Sequence, residues 1–249
     1  MTCAPFARSA RRGAWTVVLG ATLLALGATA RANAQATNPD SGDVAGLPLR
    51  ETPVATAGHE LVFLITGDGG YAAGDRGIAE RFVERGYPVI VLNSREYLGK
   101  KKTPDEAGAD ATRILTHYLA AWARDSVILV GYSRGADMAP FIVTRLPEDL
   151  RHRIALVAMI GLADRASFEF HWSDLVKDTN RPTDIPTTPE LMKLQGVHML
   201  CIYGKGEKNS LCPELPSSLV TTDQHGGKHS LSSGDGSSVA DRILHELAP

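Results

Sequence analysis

The sequence predicts an α/β architecture, a mostly parallel sheet of about six or seven strands with helices packed on both faces. Three observations carry that expectation. Near-continuous apolar runs recur along the chain, amphipathic helical patterns separate them, and no internal repeat or low-complexity tract breaks the alternation. A strand covered on both faces has no side that meets water, so it reads as an apolar run rather than as alternating apolar and polar residues.

The N-terminal residues stand apart from this pattern. Arg8, Arg11 and Arg12 precede an apolar run from Ala14 to Ala28, and Ala32-Asn33-Ala34 forms a small-x-small cleavage site. Residues 1–34 therefore read as a secretory signal peptide, with an apolar run too short for a membrane span, and export to the periplasm is expected. Residues 35–46 read as a polar linker, and 47–249 as a single domain. The chain has 26 Lys and Arg against 28 Asp and Glu; without the four arginines of residues 1–34 the balance is 22 against 28, near −6. That balance argues against a nucleic-acid partner, which calls for a basic stripe.

In the domain, LPLRETPV (47–54) is a candidate edge strand and LVFLIT (61–66) the first core strand. Residues 75–85 place Ile78, Phe82 and Val83 on one helical face, and PVIVLN (88–93) returns to the sheet. Thr103-Pro104-Asp105-Glu106 opens a helix over 104–123, with a cap, a proline and acids in the first turn, where the helix dipole favours negative charge. Further strands are expected at SVILVG (126–131), RIALVAMIGL (153–162), VHMLCIYG (197–204) and SSLVTT (217–222), and further helices at ADMAPFIVTRL (136–146) and SSVADRILHEL (237–247). Residues 163–195 carry Pro182, Pro186 and Pro189 and no strong period; an insertion of that size over the sheet edge is expected to form a lid or a substrate wall.

The chemistry centres on Gly-Tyr-Ser-Arg-Gly, residues 131–135. Ser133 follows one expected strand and precedes an expected helix, the setting in which a serine between two glycines becomes an exposed nucleophile on a sharp turn. Its hydroxyl needs a base. In a fold with this motif the chain order is serine, acid, histidine. His229, on the Gly-rich loop DQHGGKHSL after the last strand, is the favoured base, with His225 its rival. Glu207, in YGKGEKNSLC, is the first carboxylate after its strand and the candidate that orients the imidazole. Arg134, next after the nucleophile, is expected to supply one oxyanion amide, and the loop holding Asp68, Gly69 and Gly70 the other. Asp137, one helical turn beyond Ser133, belongs near the site as a substrate contact or a buried structural acid. Cys201 and Cys212 form an even pair once Cys3 leaves with the signal peptide, and a disulfide between them would clamp the loop that carries Glu207. No metal or other cofactor is expected, since His and Cys show no ligand spacing.

Taken together, several segments resemble the VirJ/AcvB family of bacterial exported proteins: TGDGG (66–70), TPDEAGAD (103–110), GYSRGADMAPF (131–141), RLP (145–147), Gly161-Leu162 with Phe168-Glu169, and CIYG-x-x-E (201–207) with Cys212 behind it. The resemblance runs from about residue 47 to the C-terminus. It implies a periplasmic α/β-hydrolase fold, hydrolysis of aminoacylated phosphatidylglycerol, and for some members a virulence role tied to type IV secretion. It also implies catalytic roles for Ser133, Glu207 and His229. Two segments depart from the family pattern: Asn93-Ser94-Arg95-Glu96-Tyr97 stands where an Asp-Ser pair and an aromatic cluster are usual, and Lys228-His229-Ser230 where His-His-Phe is usual. Both lie where substrate is contacted, which makes Tyr97 a candidate contact, and Asp68 and Asp137 suit a cationic aminoacyl group. The expected function is a serine esterase acting on an aminoacylated phospholipid at the membrane surface. The alternative is a non-catalytic module that binds exported or secretion-system proteins.

Overall fold

A computed structural model describes residues 44–56, 58–172 and 181–248. The expected signal peptide lies outside these residues, as does the expected linker up to residue 43. No helix among the described residues is long and apolar enough to cross a membrane.

The order of elements is β1 (Leu49–Thr52), β2 (Glu60–Ile65), α1 (Ala73–Glu84), β3 (Val89–Leu92), α2 (Ser94–Tyr97), α3 (Pro104–Ala121), β4 (Ser126–Tyr132), α4 (Arg134–Arg145), α5 (Glu148–Arg151), β5 (Ile154–Ile160), β6 (Arg165–Ala166), β7 (Ile185–Pro186), α6 (Thr188–Leu191), β8 (Met199–Gly204), β9 (Thr221–His225) and α7 (Ser233–Leu247). Seven strands form one sheet in the order β1-β3-β2-β4-β5-β8-β9. Only β1 runs antiparallel, with Leu49 opposite Leu92; every other pairing is parallel.

Strand β2 shows why apolar runs become central strands. Leu61, Phe63 and Ile65 enter one core layer, which includes Ile114, Leu115 and Tyr118 of α3 and Phe141 and Ile142 of α4. Val62 and Leu64 enter the other, with Ile78 and Phe82 of α1 and Ile243 of α7. Successive side chains point to opposite faces, and both faces are covered. Helix α3 starts as its sequence dictates: the Thr103 hydroxyl accepts the Glu106 amide, Glu106 accepts the Thr103 amide, and Pro104 takes the first position, where no donor is needed.

Two expectations need correction. The strand at 217–222 is displaced to 221–225, because Leu219 and Val220 both donate backbone N–H groups to Pro216 in a turn that plugs the core. The strand itself, TTDQH, is a polar edge strand with no apolar run to announce it. Within 163–195 the structure has order of its own: β6 pairs antiparallel with β7, Arg165 opposite Pro186, followed by α6 and a short 3-10 turn.

Cys201 of β8 and Cys212 form a disulfide, Cα atoms 5.5 Å apart, closing a loop of 11 residues that carries Glu207. A cross-link over a loop of this length restricts the unfolded chain by about 3 kcal/mol. Replacing both cysteines with alanine is therefore expected to lower unfolding free energy by about that amount in urea titrations, with the midpoint shifting more than the slope.

Candidate active site

Parallel strands deliver side chains to one edge, and the carboxyl ends of β4, β8 and β9 meet there. Ser133 sits at the end of β4 and start of α4, with φ 52° and ψ −118°. It is one of two non-glycine residues with positive φ among those described, a conformation that costs an L-residue roughly 1–3 kcal/mol. The flanking glycines allow it. A Cβ on Gly131 would come within 2.4 Å of the Gly135 carbonyl oxygen, and one on Gly135 within 2.1 Å of the Ile65 carbonyl oxygen.

The structure joins Ser133, His229 and Glu207 in one hydrogen-bonded chain. His229 Nε2 lies 2.8 Å from Ser133 Oγ, and its Nδ1 lies 2.6 Å from Glu207 Oε1. The second Glu207 oxygen accepts the Gly204 amide at 3.0 Å. Burial works against the charge of Glu207, but the histidine and that amide outweigh it and hold the carboxyl below its ordinary range. His225, the rival base, is turned into its own loop, where its Nδ1 accepts the Gly227 amide at 3.0 Å.

Three further residues hold this chain, Tyr132 inside the Gly-Tyr-Ser-Arg-Gly turn and two outside it. The Tyr132 hydroxyl donates to the His229 carbonyl oxygen at 2.9 Å and accepts the Leu231 amide at 3.1 Å, while its ring stacks against the imidazole. Gly161, at φ 68°, passes directly behind the imidazole; a Cβ there would lie 2.8 Å from the His229 ring and 3.2 Å from Glu207. Asp75 of α1 accepts the amides of Gly67 and Ala72, pinning the loop opposite Ser133. Burial raises the Asp75 carboxyl to about 6 despite those amides.

The same loop decides where an oxyanion can be met. The Gly70 amide is used by the Gly67 carbonyl oxygen at 2.9 Å, and Gly69 is exposed and away from the cleft, so neither fits the expected donor role. The positive φ of Gly70 serves its approach to Asn93. The Asp68 amide donates to no protein acceptor among the described residues, and Asp68 and Arg134 both line the cleft.

That cleft has a volume of about 340 Å³. Beyond the chain of three, its walls include Asp137, Arg165, Arg181, Asp184 and Lys208, so the 163–195 insertion does form a wall. The Asp68 carboxylate is already bound by Arg134 Nε and Nη2 at 2.9 and 3.2 Å, which removes it as an open anionic contact. Tyr97 does not reach the cleft; it is buried in the core, with its hydroxyl 2.7 Å from Asp110. Asp137 is buried at the cleft and accepts the Ala163 amide at 2.8 Å. Burial pushes its carboxyl up to about 7, against the pull of the Arg134 guanidinium and the Ala163 amide. Asp184, 7% exposed, is a residue sequence reasoning missed: one carboxylate oxygen accepts the Arg181 amide, and the other is buried with no donor among the described residues.

The family model described as bacterial virulence protein (VirJ) matches residues 59–249. No curated protein matches the chain significantly. Among solved structures it is similar to the enol-lactonase from Burkholderia xenovorans, at 13% identity and TM-score 0.57 over 81% of this chain and 96% of that one. It is also similar to a thioesterase domain from the curacin biosynthetic pathway, at 14% identity and TM-score 0.52 over 79% and 94%. Naproxen esterase from Bacillus subtilis gives 12% identity and TM-score 0.53 over 82% and 93%. Such likenesses establish the α/β-hydrolase fold.

Two outcomes are expected of this geometry. Gly161→Ala pushes the imidazole off its partners and should lower kcat by about 100-fold or more while the fold survives, as read by ester turnover beside circular dichroism. Asp137 binds a proton more tightly folded than unfolded, so stability is lost as pH rises from about 4 to about 7. Asp137→Asn keeps an acceptor for Ala163 and should raise stability at pH 8 by on the order of 2–4 kcal/mol, with little change at pH 4.

Proposed function

The chain belongs to the family of the bacterial virulence protein VirJ, and from that membership and the geometry of its cleft we propose that it is a serine esterase removing the aminoacyl group from aminoacylated phosphatidylglycerol at the membrane surface of the periplasm. The observation that carries the reading is the continuous chain from Ser133 Oγ through His229 to Glu207, opening into a cleft. A serine with a strained backbone, an oriented base and a buried acid is the apparatus of acyl transfer.

In this reading Ser133 Oγ attacks the ester carbonyl carbon while His229 Nε2 takes its proton. The Glu207 carboxylate faces the positive charge that develops on the ring. The carbonyl oxygen, now negative, meets the backbone amide of Arg134, at the start of α4, and that of Asp68, in the loop after β2. Collapse of the tetrahedral adduct returns the proton to the glycerol oxygen and releases phosphatidylglycerol. Water, activated by the same imidazole, then frees the amino acid from the serine.

The cleft's charges suit both ends of such a substrate. An α-ammonium lies two bonds from the scissile carbonyl, and Asp137, one helical turn from the nucleophile, is an acid on the wall of the same cleft. Asp184 adds a further acid to that wall, with one carboxylate oxygen held by the Arg181 amide. Arg165 and Lys208, on the same walls, suit the phosphate of the departing lipid.

Purified protein incubated with lysyl-, alanyl- and unmodified phosphatidylglycerol separates the alternatives. Free amino acid should appear from the aminoacyl lipids and nothing from the unmodified one, and Ser133→Ala should cut the rate by about 10⁴-fold or more. Fatty acid released from unmodified lipid would make the protein a lipase instead. Release of neither amino acid nor fatty acid from any of the three lipids would leave the binding-module reading, and amino acid release undiminished in Ser133→Ala would overturn the role given to that serine.

A further inference from the structure

Trp172 is 70% exposed, more than any other large apolar side chain among the described residues. It does not stand alone. Phe170 meets it edge-on with ring centroids 5.3 Å apart, and the Arg95 guanidinium lies 4.8 Å over the indole and 5.5 Å from the Phe170 ring. The turn after α2 brings Lys100, Lys101 and Lys102 alongside. Two backbone hydrogen bonds lace that turn to the aromatic arm, Phe170 N–H to the Leu98 carbonyl at 2.9 Å and Lys102 N–H to the Phe168 carbonyl at 2.8 Å.

The three lysines are not equally committed. Lys102 is held by Asp110 at 3.3 Å and by the face of Tyr97. Lys101 approaches Glu169 only to 3.9 Å, and Lys100 forms no ion pair among the described residues. Folding the chain thus leaves an indole in water beside two weakly satisfied ammonium groups, on a domain with an acidic charge balance. Desolvating an indole flank favours an apolar medium. An indole with a polar edge suits the headgroup level of a bilayer, and lysines beside it are drawn to anionic lipid within about a Debye length.

We propose that this patch docks the protein on an anionic bilayer, with Trp172 immersed at headgroup level and Lys100 and Lys101 on lipid phosphates. The arm that bears Trp172 begins in β6, where Arg165 lines the cleft, so the docking arm also walls the candidate active site. The proposal concerns adsorption alone and does not depend on the esterase reading.

Sedimentation with vesicles tests it. The protein should bind vesicles of mixed phosphatidylglycerol and phosphatidylcholine well above vesicles of phosphatidylcholine alone. Lys100→Ala and Lys101→Ala should each weaken binding about fivefold, and Trp172→Ala about tenfold. Trp172→Phe should keep most of the binding while reducing the vesicle-induced blue shift in fluorescence relative to the wild type, since Trp15 and Trp122 are common to both forms and the indole assigned to the headgroups is gone. Every form carries the same residues 1–43, so differences among them report the patch. Equal binding to both vesicle types, unchanged binding in all three alanine variants, or binding to polyglutamate with none to vesicles overturns the proposal. Ser133→Ala should adsorb like the wild type whether or not the chain hydrolyses any ester, so the two readings fail separately.

Discussion

One backbone torsion organises this molecule: Ser133 held at a positive φ between the end of β4 and the start of α4. A side chain there projects out of the sheet edge only if the chain turns more sharply than an L-residue prefers, and neighbouring elements must close on the turn to hold it. They do so by having no side chains of their own. Gly131 lets the strand pass under the Gly135 carbonyl, and Gly135 lets the helix rest on β2. Gly67, whose Cβ would stand 3.2 Å from that of Ser133, brings the facing loop to the hydroxyl. The core on both faces of the sheet supplies the rigidity that keeps the strained corner closed.

Around that corner, charge is arranged by burial. Glu207 is kept ionised because an amide and an imidazole compensate its loss of water. Asp137 has an amide and a nearby guanidinium and is still pushed towards neutrality. The two carboxyls open on one cleft, yet one is poised as a permanent anion and the other near the point where its proton is exchanged, a separation set by environment rather than by residue type. Asp75 shows the same tension one layer back, where its two accepted amides tie the Gly67–Ala72 turn to α1.

The central strands were legible because burial on both faces leaves an unbroken apolar signature, as in LVFLI and VILVG. Edge strand β9 was not, since TTDQH pairs through its backbone and shows polar side chains. Ser133 was legible because its strain demands glycines at fixed spacing, and the positions of Glu207 and His229 follow from chain order once the serine is found. What escaped reading acts across long sequence separations. Gly161 matters for what passes behind it, 68 residues before His229 in the chain, and Tyr132 for a clamp on a carbonyl that no local pattern encodes. Tyr97 misled because an aromatic beside a site-like segment looks available, whereas its hydroxyl is bound to Asp110 inside the core. The amide of Gly70 misled similarly: glycine signalled close approach, but to Asn93 and not to a ligand.

The bridge between Cys201 and Cys212 ties the completeness of the site to the chemistry of its surroundings. Thiols stay reduced in the compartment where a protein is synthesised and oxidise after export. Until the sulfurs join, the segment bearing Glu207 lacks its tether, and the imidazole its fixed partner. One covalent bond between β8 and Cys212 therefore sets how firmly the acid is presented to the ring.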